Sequence, residues 1–383
     1  MKILAVHNRY QQAGGEDSVF RNEIELLRSG GHDVAVLEEN NDRIKGTAAQ
    51  IAAAAHAVWS RYGQRRMAEA IIRERPDVVH VHNFFPTLSP AIFWTCGEHR
   101  VPAVWTLHNF RVACANGLLF RDGQVCEKCL GASPLPAIRH GCYRGSRAAS
   151  AAVAAMIATH RTMGTWRYKV DRFIALTDFA RDKVIAAGLP ADRVVVKPNF
   201  VDIARSETIS DRSGTVFVGR LSAEKGVQVA VEAWRQMPHL KLTVIGDGPL
   251  RAELETNAPP NIEFTGALPS SDVYQRVAMA QAMVVPSVSY ENFPMTVVEA
   301  MALGTPVIAS NTGALAAIVG DGMSGALFEV GNHHDLTAKV SDLFMRPERL
   351  SVMSQNARER YEHQMSPQKN LHQLEQIYSE VIS

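Results

Sequence analysis

The sequence predicts an α/β protein made of two doubly wound, Rossmann-like domains, and three observations point there. Short apolar runs alternate with helix-length segments along all 383 residues, as in parallel sheets covered on both faces. That length is long for one hydrophobic core and comfortable for two. The runs also divide into two sets, with a join near Pro198-Asn199-Phe200-Val201-Asp202.

In the first set the expected strands are Lys2–Val6, Asp33–Leu37, Val78–Val81, Ala103–Leu107, Arg172–Leu176 and Val194–Lys197. In the second they are Thr215–Val218, Lys241–Ile245, Ile262–Thr265, Ala282–Val285, Pro306–Ala309 and Ala326–Phe328. The domains are therefore expected over 1–200 and 201–365, with a polar stretch at 204–214 just after the join. Functional loops belong at the carboxyl ends of such strands. The tail, 366–383, reads as a helix: Ser366-Pro367 offers a cap and a proline for the first turn. Leu371, Leu374, Tyr378 and Val381 then recur at helical spacing. The pattern alone leaves two packings open, on the second domain or back on the first.

Composition excludes several function classes. The net charge of +1 gives no bulk attraction to nucleic acid. Five cysteines, unevenly placed, do not make a secreted disulfide scaffold. Met1-Lys2-Ile3-Leu4-Ala5-Val6-His7-Asn8 carries one cation and a very short apolar run, and reads as a first buried strand, not a signal peptide. No apolar segment reaches the ~18–20 residues that a membrane span needs. The expectation is a cytoplasmic protein, with peripheral attachment to the inner membrane face left open.

The chemistry is concentrated after two strands of the second domain. After Ala282–Val285 comes Ser289-Tyr290-Glu291-Asn292-Phe293-Pro294-Met295-Thr296-Val297-Val298-Glu299, with seven residues between the two glutamates. A polar loop opening a helix there offers unpaired amides and the positive end of a dipole to a phosphate. A carboxylate one turn inside, Glu299, can accept two hydrogen bonds from vicinal ribose hydroxyls, and Glu291 in the loop can reach a sugar beyond the phosphates. Thr215-Val216-Phe217-Val218-Gly219-Arg220-Leu221-Ser222-Ala223-Glu224-Lys225-Gly226 ends another strand in two cations. Arg220 and Lys225 suit the developing charge of a diphosphate leaving group. Taken singly, each feature also fits an ordinary helix start or solvated loop charges.

Together they resemble the donor site of the retaining glycosyltransferases of the GT-B fold, family four. The G-R-L-x-x-x-K-G turn, the Gly246-Asp247-Gly248-Pro249 turn and the E-x7-E element occur in that family's order. The resemblance implies two domains facing across a cleft, a last helix crossing back to the first domain, and a nucleotide-diphosphate sugar as donor. It implies that Arg220 and Lys225 neutralise the diphosphate, that Glu299 grips the ribose and that Glu291 meets the sugar. Gly219, Gly246, Asp247, Gly248, Asn292, Phe293, Pro294, Met295 and Thr296 would complete the donor site. Relatives often carry Gly-Phe-Gly after the first glutamate; Pro294 here offers no amide hydrogen. Retention implies attack from the leaving group's own side, with phosphate oxygens as base, and no catalytic metal is expected.

In the first domain, Gly14-Gly15 follows strand one and opens a helix, permitting close approach of a ligand to the amides. The resemblance turns this loop toward the donor phosphate, and places His108, in Thr106-Leu107-His108-Asn109, against the donor sugar. His82 and Asn83, one strand earlier, are candidates for the acceptor side, while His80 is expected to face the interior. The G-x-G-x-x-G fingerprint of a dinucleotide oxidoreductase is absent at this loop.

Residues 111–147 read as an insertion, with Cys114, Cys126, Cys129 and Cys142 spaced C-x11-C-x2-C-x12-C. The set fits either a tetrahedral structural zinc or four free thiols. It resembles an insertion in family-four enzymes that build exopolysaccharide, which implies acceptor binding. Cys96 stands apart and is expected in the core. From Gly131 to Val170 there is no acidic residue, and the alanine-rich Ala148–Thr159 lies between cations. That helix is either a core helix with solvated ends or one that lies on anionic headgroups, which would suit a polyprenyl-diphosphate-linked acceptor.

The function so read is transfer of a hexose-type sugar to a glycan or lipid-linked acceptor in exopolysaccharide, capsule or lipopolysaccharide synthesis. A nucleotide-sugar epimerase or hydrolase of the same architecture, and a non-catalytic partner in a polysaccharide assembly complex, are the rival readings.

Overall fold

The structure, a computed structural model, describes residues 1–9, 15–41, 46–203 and 211–382. Its contacts separate two units. One comprises Met1–Leu119, Cys126–Asn199 and Gln368–Ser383; the other comprises Phe120–Val125 and Phe200–Pro367.

The first unit is built on β1 (Lys2–Arg9), β2 (Asp33–Asn40), β3 (Val78–Val81) and β4 (Ala103–Thr106). A small hairpin, β5 (Phe120–Arg121) and β6 (Gln124–Val125), comes next in the chain, followed by β7 (Arg172–Ala175) and β8 (Val194–Val196). The sheet order is β2-β1-β3-β4-β7-β8, and every pairing in it is parallel. All residues of β3 and β4 are buried, as strands covered on both faces must be. The winding reverses at β1, so the carboxyl ends of β1 and β3 flank the switch point. The amide of Asn8 donates to the carbonyl of Asn83 there, at 2.9 Å.

The final helix, Pro367–Ile382, belongs to this unit from Gln368 onward. Leu374, Ile377 and Tyr378 are buried with Ile3, Ala5, Val78, Val104 and Ile174. Leu371 and Val381 pack at the edge of that cluster. Of the two packings open to the pattern, the first-unit one is therefore the one adopted.

The alanine-rich segment forms the helix Arg147–Thr162, capped by the Ser146 hydroxyl on the Ala149 amide. Val153, Ala154, Met156, Ile157 and His160 are buried, which makes it a core helix with its cations toward the ends. No helix among the described residues is long and apolar enough to cross a membrane.

The second unit carries β9 (Thr215–Val218), β10 (Leu242–Ile245), β11 (Ile262–Gly266), β12 (Ala282–Val285), β13 (Val307–Ser310) and β14 (Gly325–Phe328). Their order is β11-β10-β9-β12-β13-β14, again all parallel. Two apolar clusters cover the sheet, one around Trp234 and Leu336, the other around Met283, Val297 and Met301. Here the switch point falls between β9 and β12, and the two chemically loaded loops leave those strands.

β1 and β2 each run three residues past the expected ends. The hairpin β5–β6 was not expected from the sequence, because strands of two residues carry no periodicity. Its turn is legible afterwards: Asp122 and Gly123 both take positive φ, 51° and 77°, the backbone of a tight hairpin turn.

Leu374 is fully buried. Leu374→Ala should therefore cost about 2–5 kcal/mol of first-unit stability. Urea unfolding monitors this, and a loss under about 1 kcal/mol would contradict the packing of the last helix on this sheet.

Candidate functional site

In the second unit, close backbone packing holds the loops after β9, β10 and β12 together. Gly226 has φ of 64°, and a Cβ there would lie 2.0 Å from the Pro286 carbonyl oxygen. Gly246 has φ of 137°, and a Cβ there would meet the Gly219 carbonyl oxygen at 1.9 Å. Only glycine allows both the dihedral and the approach. The Leu221 amide donates to the Asp247 carbonyl at 2.9 Å, locking the first two loops side by side.

On this frame the Lys225 ammonium donates to Glu291 Oε1 at 2.7 Å, and the Ser287 hydroxyl donates to the same oxygen at 2.6 Å. Lys225 and Glu291, 66 residues apart in sequence, thus share one hydrogen-bonded cluster. Arg220 is exposed on the same loop as Lys225. The Asp247 carboxylate accepts from the Gly248 amide at 2.7 Å and pairs with Arg251 at 3.1 Å.

The helix Met295–Ala302 begins after Pro294 with no side-chain cap. Phe293 anchors the loop against the cluster containing Val297 and Met301. Asn292, Met295 and Thr296 are half-buried beside it. Glu299 lies in the second turn, and burial pushes its pKa up to about 7, with no cation among the described residues acting on it. A carboxyl so placed lacks the partners that would stabilise its charge, and two vicinal hydroxyls would supply them.

In the first unit, Gly15 opens the helix Gly15–Ser29, while Gly14 lies outside the described residues. His108, half-buried, follows β4. Its Nε2 is 2.9 Å from His82 Nδ1, and His82 Nε2 is 2.9 Å from Glu23 Oε1. His80 Nδ1 also reaches Glu23 Oε1 at 3.1 Å and the Tyr378 hydroxyl at 2.7 Å. The second Glu23 oxygen receives the fully buried Lys197 ammonium at 3.2 Å, which Asn370 Oδ1 holds at 2.8 Å.

His82, expected on the acceptor side, is buried with both ring nitrogens engaged, and so cannot offer one to an acceptor. Asn83 is likewise committed to backbone: its amide donates to the Asn8 carbonyl at 2.6 Å and its oxygen accepts from the Phe85 amide at 3.0 Å. His80 is interior as expected. Burial drives His108 well below the usual histidine range, with His82 adding to the effect, and burial brings His82 down to about 4. Burial would raise Glu23, but Lys197 and the histidines hold it well below the usual carboxylate range.

Sequence reading passed over Glu23 and Lys197. The available signal was Glu23 on the stripe of Val19, Phe20, Ile24 and Leu27, a carboxylate where the helix buries its apolar face.

Among the described residues, Glu23, His80 and His82 have ligand atoms within 4.8 Å of one another. The Lys197 ammonium already supplies the cation there. None of the four insertion cysteines is joined in a disulfide. Burial raises the Cys129 thiol, and Cys114, Cys142 and Cys126 raise it further, so the four are near neighbours. Their sulfurs do not form such a close group, whereas zinc bonds of about 2.3 Å would draw them together. Cys96 is buried, with its pKa pushed up to about 12.

Comparison with known proteins follows the same division of the chain. The family model "Glycosyltransferase Family 4" matches residues 13–205, half of the chain. "Glycosyl transferases group 1" matches residues 201–360. An uncharacterized glycosyltransferase of Methanocaldococcus jannaschii is 31% identical over 194 residues, 50% of this chain and 54% of that protein. The amylovoran biosynthesis glycosyltransferase AmsK of Erwinia amylovora is 27% identical over 175 residues, 41% of this chain and 43% of its own. The chain spans about half the length of these curated relatives. Among solved structures, Anabaena HepE in complex with UDP-glucose superposes with a TM-score of 0.69 at 17% identity, covering 99% of this chain and 100% of that one. That likeness is one of fold.

Gly226→Ala should lower the melting temperature more than Gly322→Ala does. Gly322 also has positive φ, at 75°, but nothing within 4 Å of a new Cβ. The difference should exceed about 1 kcal/mol, and equal losses would contradict the contact with Pro286. Glu299 has a folded pKa of about 7 against an ordinary 4.5, so the folded state retains its proton through that window and loses stability as pH rises through it. Glu299→Gln should accordingly raise the melting temperature at pH about 8 and change it little near pH 4.5; the reverse pattern would show the carboxyl to be well solvated.

Proposed function

The chain belongs to glycosyltransferase family 4, and on that premise we propose that it is a retaining hexosyltransferase using a nucleotide-diphosphate sugar. The observation that carries this reading is the second-unit cluster. One ammonium, one exposed guanidinium and two carboxyls of different character leave adjacent strands at a topological switch point.

In this reading Lys225 and Arg220 neutralise the diphosphate as the glycosidic bond breaks, where charge develops most. Lys225 is already fixed by Glu291, so little reorganisation is needed at that moment. Glu291 contacts the sugar hydroxyls, and Glu299 accepts the ribose hydroxyls, its charge restored by their two hydrogen bonds. Gly219, Gly246, Asp247 and Gly248 border the nucleotide, with Asn292, Phe293, Pro294, Met295 and Thr296 near its phosphate and sugar. The acceptor attacks from the side the diphosphate leaves, and a departing phosphate oxygen takes its proton. We propose a glycan or polyprenyl-diphosphate-linked acceptor in polysaccharide assembly, in keeping with the name of the amylovoran relative. The insertion at 111–147 is proposed to help bind it at the cytoplasmic membrane face.

The HepE complex recommends UDP-glucose as the first donor to try, with GDP-mannose and ADP-glucose beside it. A productive nucleotide should raise the melting temperature, since it binds the folded state alone. Lys225→Ala should lower turnover about 100–1,000-fold. Glu299→Ala should weaken nucleotide binding about 10–100-fold. Near wild-type values in both, at saturating and limiting donor, would overturn the site assignment. Release of free sugar without any acceptor would instead identify a hydrolase. Because the ribose needs an ionised Glu299 and its pKa is about 7, nucleotide affinity should fall as pH drops from about 8 to 6, by severalfold. Titration calorimetry with UDP reads this, and a flat profile would remove Glu299 from the ribose.

A further inference from the structure

The first-unit histidines carry an inference that the donor site does not. Glu23 accepts hydrogen bonds and, as a carboxylate, donates none. Its Oε1 lies 2.9 Å from His82 Nε2, so that nitrogen carries the proton. His82 Nδ1 is then a lone pair, and the His108 Nε2 2.9 Å away must be the donor. A neutral imidazole has one N–H, which leaves His108 Nδ1 bare. Among the described residues Nδ1 has no protein partner.

We propose that Glu23 and His82 are positioning residues that fix the tautomer of His108, presenting its Nδ1 as a hydrogen-bond acceptor to a sugar hydroxyl of the substrate. The identity of that hydroxyl's owner rests on the glycosyltransfer reading; the tautomer does not.

Surrounding groups enforce the chain of bonds. Lys197 Nζ holds Glu23 Oε2 at 3.2 Å and keeps the carboxylate charged without a proton from either histidine. Asn370 Oδ1 and the Pro198 carbonyl take further Lys197 protons, at 2.8 and 3.4 Å. His80 Nδ1 lies 3.1 Å from the same Glu23 oxygen and 2.7 Å from the Tyr378 hydroxyl, while its Nε2 meets Thr106 Oγ1 at 2.8 Å, so its ring is fixed independently of His108. Phe20 stacks on His7 at 4.6 Å and meets His82 edge-on at 5.1 Å, closing that side to water. Low pKa values of His82 and His108 agree with neutral rings. A metal at Glu23, His80 and His82 would face the Lys197 ammonium across one carboxylate, and the relay needs none.

Glu23→Gln inverts the logic. The ammonium of Lys197 can bond only the amide oxygen, so the amide nitrogen turns toward His82. Two donors would then meet, and His82 must move its proton to Nδ1. His108 Nε2 becomes the acceptor and Nδ1 the protonated atom.

The test is long-range proton–nitrogen correlation on histidine-labelled full chain, with His108 assigned by signal loss in His108→Gln. Wild type should show His108 protonated at Nε2, with a scalar coupling through the hydrogen bond to His82 Nδ1. A His108 protonated at Nδ1, or a mixture of tautomers, would overturn the proposal without any variant. Folded Glu23→Gln should show the swapped tautomer, and an unchanged one would also overturn it. With UDP-glucose, kcat/KM of that variant should fall about 10–100-fold. An unchanged kcat/KM beside a swapped tautomer would remove the substrate contact. A wild type that binds and transfers no nucleotide sugar defeats the glycosyltransfer reading, and the spectra still decide the relay.

Discussion

A fully buried ion pair, Glu23 with Lys197, is the constraint on which the first unit's polar interior depends. Burying two charges costs more than their attraction returns unless the remaining lone pairs and protons find partners. Here they do: two histidines, an asparagine and a backbone carbonyl complete the set. Those partners come from β3 and the residue after it, from the chain just past β8 and from the last helix, while Glu23 itself sits on the first helix. One pair therefore specifies how a helix near the start, a strand near the middle and the final helix meet, and its geometry dictates which nitrogen of His108 is bare.

The second unit follows the opposite logic. Its loops are held by contacts that leave no room for a side chain, at Gly226 and Gly246. The groups they present are less satisfied: Glu299 is half-buried with no compensating charge among the described residues, and Arg220 is exposed. Exposed charge and a carboxyl shifted by burial, gathered at strand ends beside fully packed strands, are what mark this face as the candidate site. Lys225 and Glu291 are the exception, already paired and so positioned in advance.

Family membership and geometry bear on different questions. Membership places the chain among glycosyltransferases. The geometry says which side chains remain accessible at the strand ends and which are consumed in holding the fold. His82 and Asn83, expected on the acceptor side, instead have their side-chain nitrogens and oxygen hydrogen-bonded inside the unit.

The sequence by itself determined the strands, their parallel pairing into two sheets, and the loops that hold Arg220, Lys225, Glu291 and Glu299. Alternating apolar runs and glycine turns are local signals, readable within a window of about ten residues. It also marked His108, through resemblance. Only the tertiary structure decided where the last helix packs, which histidines are interior, and that Glu23 meets Lys197 across 174 residues of chain. Such meetings depend on how strands are ordered and how helices rotate over them. Side chains far apart in sequence leave no periodic trace of the partner they will find, so the site's wiring became visible only once the sheet was assembled.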